Sequence, residues 1–125
     1  MKFEKCSYYF ANPEESLALE LTTHVAELFE ARGFEVIAYM GRLGKDSEEY
    51  GVDRYRVYIN DMMILIQNVY RSNGTEKNTS AEIILYKKDA IHENCHIYVC
   101  REKLIKGSGE KAINNRITKI LEKVM

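Results

Sequence analysis

The segment GVDRYRVYINDMMILIQNVYR, residues 51–71, constrains the fold more than any other part of the chain. Two runs of strand-forming residues flank Asn60 and Asp61, which accept the positive φ values of a tight turn better than most residues do. A two-residue turn at this point fixes which residues of the two strands face each other. The pairs on one side are all large and mainly apolar, namely Tyr55 with Ile66, Val57 with Ile64, and Ile59 with Met62. A slip of one residue would destroy this segregation, so the sequence predicts a β-hairpin with one buried face.

The opposite side of this hairpin is mixed in character and is either partly covered by another element or used as a contact surface. Tyrosine supplies a large contact area with a polar tip and is common at interfaces, although strands also favour it for structural reasons alone. A contact surface would be extended by tyrosines of later strands. The predicted binding face consists of Arg54, Arg56, Tyr58, Met63, Leu65, Gln67, Tyr86 and Tyr98.

A strand and a helix are predicted before the hairpin. Residues 3–10 alternate weakly in polarity, which is typical of a strand. Asn12 and Pro13 suit the N-cap and the first position of a helix, and two glutamates follow in its first turn. An apolar stripe at helical spacing is formed by Leu17, Leu21, Val25, Leu28 and Phe29. Gly33 followed by Phe34 is the pattern of a Schellman motif, so we expect the helix to end there.

The remaining elements are predicted from residue spacing in the same way. Strands are expected at residues 34–40, 81–88 and 95–101, with a polar loop over 41–51 and a last helix from about residue 110 to the end. Ser108 or Gly109 supplies the cap of that helix. Because consecutive strands are joined by short connections, the sheet should be mostly antiparallel. We therefore predict a single α+β domain over residues 1–125, with five to six strands and two amphipathic helices packed on one face.

Composition limits the classes of protein that this chain can belong to. Its length of 125 residues favours one domain. Its net charge of −1 argues against a surface devoted entirely to nucleic acid. Residues 1–50 carry a charge of −5 and residues 51–125 a charge of +4, either as an acidic helix beside a basic one or as a basic surface for an anionic partner. No apolar run approaches the roughly 20 residues of a membrane span, and the start, Met-Lys-Phe-Glu-Lys, lacks the long apolar stretch typical of a signal peptide. With three cysteines, an odd number, we expect a cytoplasmic protein with reduced thiols and no membrane association.

Three residues follow a pattern known from nucleases. Glu20 lies on the predicted helix before ARGFEVI, Asp53 occurs in GVD, and Gln67 ends MILIQ. This arrangement resembles the restriction endonuclease-like, Mrr-type nucleases, in which a Gly-x-Asp strand is followed by a strand ending in Gln/Glu-x-Lys. The resemblance implies that Glu20, Asp53 and Gln67 bind Mg²⁺ in a nuclease or nucleic-acid-binding domain. The lysine position holds Val69, and loss of such a charge costs roughly 10² to 10³ in rate, so a degenerate relative is implied.

Two smaller groups of residues also have a bearing on chemistry. Soft metal ligands gather in the segment HENCHIYVC, residues 92–100, but a strand would point Cys95 away from His96 and Cys100, so buried cysteines are the favoured interpretation. Lys106 and Lys111 flank Gly-Ser-Gly before the last helix, where free backbone N–H groups can hold an anion. The simpler interpretation of that segment is a flexible helix start.

These observations favour a non-enzymatic binding protein without a cofactor, because no complete catalytic set is present. An interaction module or inhibitor, including the kinds carried by phages and mobile elements, would use the mixed sheet face to hold a macromolecular or anionic partner. A protein partner or a second copy of the chain is expected first, and nucleic acid second. The alternative is the degenerate nuclease-like domain with Mg²⁺.

Overall fold

The computed structural model describes residues 1–10, 17–69, 80–92 and 94–124. Its six strands and two helices are β1 (Lys2–Tyr9), α1 (Glu20–Ala31), β2 (Ile37–Arg42), β3 (Tyr50–Ile59), β4 (Met62–Asn68), β5 (Ser80–Lys88), β6 (His96–Ile105) and α2 (Glu110–Val124). This order confirms the predicted sequence of elements and the α+β class. Among the described helices, none has the length and apolar character that crossing a bilayer requires.

The six strands form one sheet in the order β1-β2-β3-β4-β5-β6. Strands β2 to β6 are antiparallel to their neighbours, whereas β1 is parallel to β2. The parallel pair follows from the chain order, because α1 connects the two strands and returns the chain to the same end of the sheet. The sheet is therefore mostly antiparallel, as predicted.

The hairpin of β3 and β4 has the register that the sequence predicted. Its facing pairs include Tyr55 with Ile66 and Val57 with Ile64. Asn60 adopts a φ of 55°, in the left-handed region that asparagine tolerates better than most residues. The turn chemistry and the segregation of apolar residues thus agree with each other in the folded chain.

A substitution at Asn60 tests this turn. Asn60→Val is expected to lower the free energy of unfolding by about 1–2 kcal/mol, because a β-branched side chain is strained at positive φ. Asn60→Gly removes the same side chain without that strain and should stay within about 0.5 kcal/mol of wild type. Urea denaturation of the three proteins measures the difference. Equal losses in both variants would mean that the asparagine side chain, and not its backbone conformation, stabilises the turn.

Both helices pack on one side of the sheet, where the hydrophobic core lies. The strands contribute apolar side chains from the predicted buried face of the hairpin, including Val57, Ile64 and Ile66, all fully buried. Helix α1 contributes Val25, Ala26 and Phe29, and helix α2 contributes Ile113, Ile117 and Ile120. The helices also contact each other at one end, where the Arg32 guanidinium donates to the Asn114 carbonyl at 3.1 Å.

The C-terminus of α1 is the Schellman motif that the sequence predicted. Gly33 has a φ of 94°, and the Phe34 N–H donates to the Phe29 carbonyl at 3.3 Å. The two phenylalanine rings meet edge to face, with their centroids 6.2 Å apart. The apolar residue after the glycine therefore folds back on the last turn of the helix, as this motif requires.

The predicted start of α1 was wrong for the residues that the structure describes. The proposed cap at Asn12 and Pro13 falls outside them, but Leu17 to Leu19 are not helical and α1 begins at Glu20. The reason is that this backbone bonds to the sheet. The Ala18 N–H donates to the Val52 carbonyl at 2.7 Å, and Leu19 bonds to a side chain of β4. Leu17 therefore belongs to the connection and not to the helical stripe.

Three strand boundaries also differ from the prediction. Residues 34–36 precede β2, because Phe34 is occupied in capping α1. The predicted loop over 41–51 is shorter, since Gly41 and Arg42 extend β2 and pair with Gly51 and Tyr50 of β3. Strand β6 runs to Ile105 instead of ending at residue 101, because it pairs with the whole of β5. The first boundary is thus set by the end of α1, and the other two by pairing with the neighbouring strand.

Candidate functional site

The side of the sheet opposite the helices carries the residues predicted to form a binding face. We call it the helix-free face and define it by three rows that cross β3 to β6. In register order these rows are Tyr58, Met63, Tyr86 and Tyr98; Arg56, Leu65, Ile84 and Arg101; and Arg54, Gln67, Glu82 and Lys103. Both helices pack on the other side with the core cluster, so neither of them covers these rows.

The eight predicted residues differ in how accessible they are. Tyr58 and Tyr98 are 50% and 51% exposed, whereas Met63 and Leu65 are only 7% and 8% exposed. The other four, Arg54, Arg56, Gln67 and Tyr86, are half-buried. Arginine stems cover apolar neighbours in rows of this kind, and Arg56 stands opposite Leu65. Met63 and Leu65 therefore belong to the floor of the face, while the tyrosines and arginines form its accessible part.

Arg56 is a cation of this face that contacts two tyrosines. Its guanidinium lies 4.5 Å from the centroid of the Tyr39 ring, and its Nη1 donates to the Tyr58 hydroxyl at 3.3 Å. Its Nε is buried and has no hydrogen-bond partner in the described part of the chain. Across the same residues no carboxylate forms an ion pair with it. Arg56 is thus held in place by two aromatic residues while one of its donors stays unused.

Burial keeps the surrounding tyrosines neutral. Desolvation, followed by a hydrogen bond with Tyr58, raises the pKa of Tyr39 to about 12. Burial also raises the pKa of Tyr8 to about 12, with the charge of Asp53 as the next cause. Tyrosine hydroxyls are ordinarily protonated at physiological pH, and the raised pKa values extend the neutral form of these two further into the alkaline range.

Arg54 is positioned by the edge of the sheet. Its guanidinium lies 5.3 Å from the centroid of the Tyr8 ring of β1, and its Nε donates to Asp53 at 3.1 Å. Tyr8 can cross β2 because residue 41 is glycine, and a Cβ at Gly41 would overlap the tyrosine ring. The Asp53 carboxylate partly neutralises Arg54, in contrast to Arg56.

The third part of the face is a neutral network. Glu82 is buried and accepts hydrogen bonds from Gln67 Nε2 at 2.9 Å and from Arg101 Nη1 at 3.3 Å. Arg101 also lies 5.6 Å from the Tyr98 ring, which in turn meets Tyr86 edge to face. A buried carboxylate needs such partners, so Gln67 and Arg101 are used internally. Arg56 and Lys103 are the cations of this face without a carboxylate in ion-pair distance among the described residues, and of the two Arg56 is the one that also contacts aromatic side chains.

The residues proposed as metal ligands have other partners or lie elsewhere. Asp53 accepts from Arg54, Gln67 donates to Glu82, and Glu20 is exposed at the first position of α1. Within the described ranges, no group of three or more His, Cys, Asp or Glu side chains is arranged to hold a metal ion. The assignment of Mg²⁺ to Glu20, Asp53 and Gln67 stays a prediction from the resemblance.

The two smaller groups of the sequence lie at opposite ends of β6. The expectation of buried cysteines is wrong for Cys95, which precedes β6 and is exposed, while Cys100 is half-buried. His96 is exposed, and His92 Nδ1 lies 3.0 Å from the Asp89 carboxylate. Lys106 and Lys111 are both exposed, before and within the first turn of α2. The Gly109 carbonyl accepts the first bond of that helix from Ile113, while the Ser108 hydroxyl donates backwards to Ile105. Gly109 is therefore the cap of α2.

Sequence reasoning did not find four members of the face, Glu82, Ile84, Arg101 and Lys103, nor the two tyrosines that contact its arginines, Tyr8 and Tyr39. Extending the hairpin register to β5 and β6 would have found Glu82 and Arg101. Glu82 pairs with Gln67, and Arg101 pairs with Ile84, which in turn pairs with Leu65. Tyr8 and Tyr39 come from the parallel β1–β2 pair, for which the sequence carries no local register signal. Compared with models of protein families, with characterised proteins and with solved structures, the chain matches none.

Proposed function

We propose that the protein is a non-enzymatic binding protein whose helix-free face holds a partner carrying an anionic group. The observation that supports this most directly is Arg56. It is a half-buried cation, fixed between Tyr39 and Tyr58, with a buried Nε that has no partner among the described residues. No carboxylate of the described residues forms an ion pair with this guanidinium, and a carboxylate or phosphate at its terminal nitrogens would supply the counter-charge.

The surroundings of Arg56 suit recognition of a large partner. Its side chain is already ordered, so less conformational entropy is lost when a partner binds. Tyr58 and Tyr98 are half exposed and form the two ends of one row, with Met63 and Tyr86 between them. Both supply rigid contact area. Arginine and tyrosine are among the residue types enriched at the energetically dominant positions of protein interfaces.

The proposed partner is another protein, including a second copy of this chain, and the proposed location is the cytoplasm. Three free cysteines are what a reducing compartment favours. Roles as an inhibitor or interaction module require only such a face. A nucleic acid would use the same arginines, but its affinity would fall steeply with salt concentration, which separates it from a protein partner.

Substitution of Arg56 tests this function. Partners retained by the immobilised protein from a lysate of its own cells, and the protein's self-association by light scattering, are compared among wild type, Arg56→Gln and Lys119→Gln. Lys119 is an exposed cation of α2, on the opposite side of the sheet, and serves as the matched control. We expect Arg56→Gln to weaken binding of the main partner by about tenfold or more, and Lys119→Gln to leave it unchanged.

The proposal depends on the difference between these two variants. Thermal unfolding of each variant shows that the fold is intact, so that a loss of binding reports the face itself. If Arg56→Gln retains the same partners with the same affinity as wild type, the helix-free face is not the binding surface.

A further inference from the structure

A second cationic site lies at the corner of the sheet formed by β1, β2 and the start of β3. An open cavity of about 330 Å³ is present there, a size typical of small-ligand pockets. We call it the corner pocket and define it by five of its lining residues, Lys5, Ser7, Tyr9, Arg42 and Tyr50. Cys6 and Tyr8 also line it, and Tyr8 contacts Arg54 of the helix-free face. None of the five defining residues was singled out by the sequence, and none belongs to the three rows of the helix-free face.

Two cations converge on one tyrosine in this pocket. Lys5 Nζ lies 4.4 Å from the centroid of the Tyr50 ring, and Arg42 Nε donates to the Tyr50 hydroxyl at 3.5 Å. The Arg42 guanidinium also lies 5.7 Å from the Tyr9 ring. The register explains the meeting, because Tyr9, Arg42 and Tyr50 face one another across three adjacent strands. Lys5 thus lies over the ring of Tyr50, and Arg42 lies at the hydroxyl group of the same residue.

The charge of this pocket is not balanced by an ion pair. Within the described ranges, neither Lys5 nor Arg42 lies within ion-pair distance of a carboxylate, although Lys2 on the same strand pairs with Glu4 at 3.6 Å. The hydrogen bond from Arg42 lowers the pKa of Tyr50, which shows the positive potential at the hydroxyl. Glu48 acts in the opposite direction on Tyr50 but forms no ion pair with either cation. Two positive charges therefore face the cavity together.

We infer that the corner pocket binds the phosphate group of a phosphomonoester. Two cations match the charge of a phosphate dianion, whereas a carboxylate would leave one of them unpaired. Arginine offers a planar fork and lysine a point charge, and both are common phosphate ligands. The hydroxyl groups of Ser7, Tyr9 and Tyr50 add donors for the three terminal oxygens. The tyrosine rings provide apolar area beside the phosphate for the organic part of the ligand.

Calorimetric titration with phenyl phosphate tests this site, with inorganic phosphate and benzoate as comparison ligands. We expect phenyl phosphate to bind wild type at least tenfold more tightly than benzoate, and its affinity to rise as the pH increases through about 6, where a phosphomonoester becomes a dianion. Lys5→Gln and Arg42→Gln should each weaken binding about 10- to 100-fold, the equivalent of one charge-assisted hydrogen bond. If phenyl phosphate binds more tightly than inorganic phosphate, the ligand is an ester. If the two bind equally well, the pocket recognises free phosphate and the organic part of the proposal is wrong.

Two control variants keep this test specific. Lys2→Gln removes the same charge from the same strand, outside the pocket, and should change the affinity less than twofold. Arg56→Gln removes the main cation of the helix-free face and should also leave phosphate binding intact, so the two proposals can fail separately. Absence of phenyl phosphate binding at millimolar concentration, or equal binding by wild type, Lys5→Gln and Arg42→Gln, would overturn the assignment. So would loss of binding in Arg56→Gln alone.

Discussion

Phe29→Ala is expected to lower the free energy of unfolding by about 3–5 kcal/mol, which for a domain of this size is a large part of the total. Phe29 is fully buried on α1, in the cluster that joins the helix to the sheet. Its ring also contacts Phe34, the residue that closes the Schellman motif. Truncation therefore removes core packing and the apolar contact that ends the helix, and leaves a cavity that a close-packed interior cannot fill.

The matched control for this substitution is Phe3→Ala. Phe3 lies on the edge strand β1 and is 60% exposed, so the same change in side chain should cost less than about 1 kcal/mol. Guanidinium denaturation of wild type and the two variants measures both losses of unfolding free energy, provided that the dependence of this free energy on denaturant concentration is the same in all three proteins. A loss of less than about 1.5 kcal/mol at Phe29 would be inconsistent with the packing of α1 on the sheet described above.

Asn68→Leu is expected to cost about 3 kcal/mol, because one buried amide connects β4 to the start of α1. The Asn68 Oδ1 accepts from the Leu19 N–H at 3.0 Å and from the Thr22 hydroxyl at 2.6 Å, and its Nδ2 donates to the Leu17 carbonyl at 2.7 Å. Asn68 and Thr22 are fully buried. Leucine has a similar size but leaves these three groups without partners, and an unsatisfied buried group costs about 1–3 kcal/mol.

Asn115→Leu serves as the control for the change at Asn68. Asn115 is exposed on α2, and the same substitution there should change stability by less than about 0.5 kcal/mol. Amide hydrogen exchange adds a local measurement, since Asn68→Leu should accelerate exchange at Leu19 and in the first turn of α1 more than in α2. Uniform exchange throughout the chain, or full stability of Asn68→Leu, would show that this amide does not position the helix.

The sequence alone was sufficient for the features in which local chemistry and hydrophobic pattern agree. The β3–β4 register follows from the period of two and from a turn at Asn60, and the structure confirms each predicted pair. The end of α1 follows from Gly33 and Phe34 in the same way. These features depend on residues close together in the chain, so their signals can be found without knowing the fold.

The candidate sites could be predicted only in part for the same physical reason. Arg56 and Tyr58 were found because they lie in the hairpin, but the Tyr39 ring beside the guanidinium comes from β2, whose pairing with β3 the hairpin signal does not give. The burial of Met63 and Leu65 could not be obtained from alternation, which assigns a side chain to a face but does not give its exposure. Lys5 and Arg42 converge only once β1 lies parallel to β2.

Local sequence therefore determined the order of the elements, the hairpin register, the C-terminus of α1 and the side of the sheet that the helices cover. Tertiary structure decided where α1 begins, how far β2 and β6 extend, and which cations gather beside which tyrosines. The physical reason is that these features depend on hydrogen bonds and packing between segments far apart in the chain. The Asn68 bonds to Leu17 and Leu19 and the meeting of Lys5 with Tyr50 are examples. Such contacts form only when the whole sheet is assembled, and no short stretch of sequence encodes them.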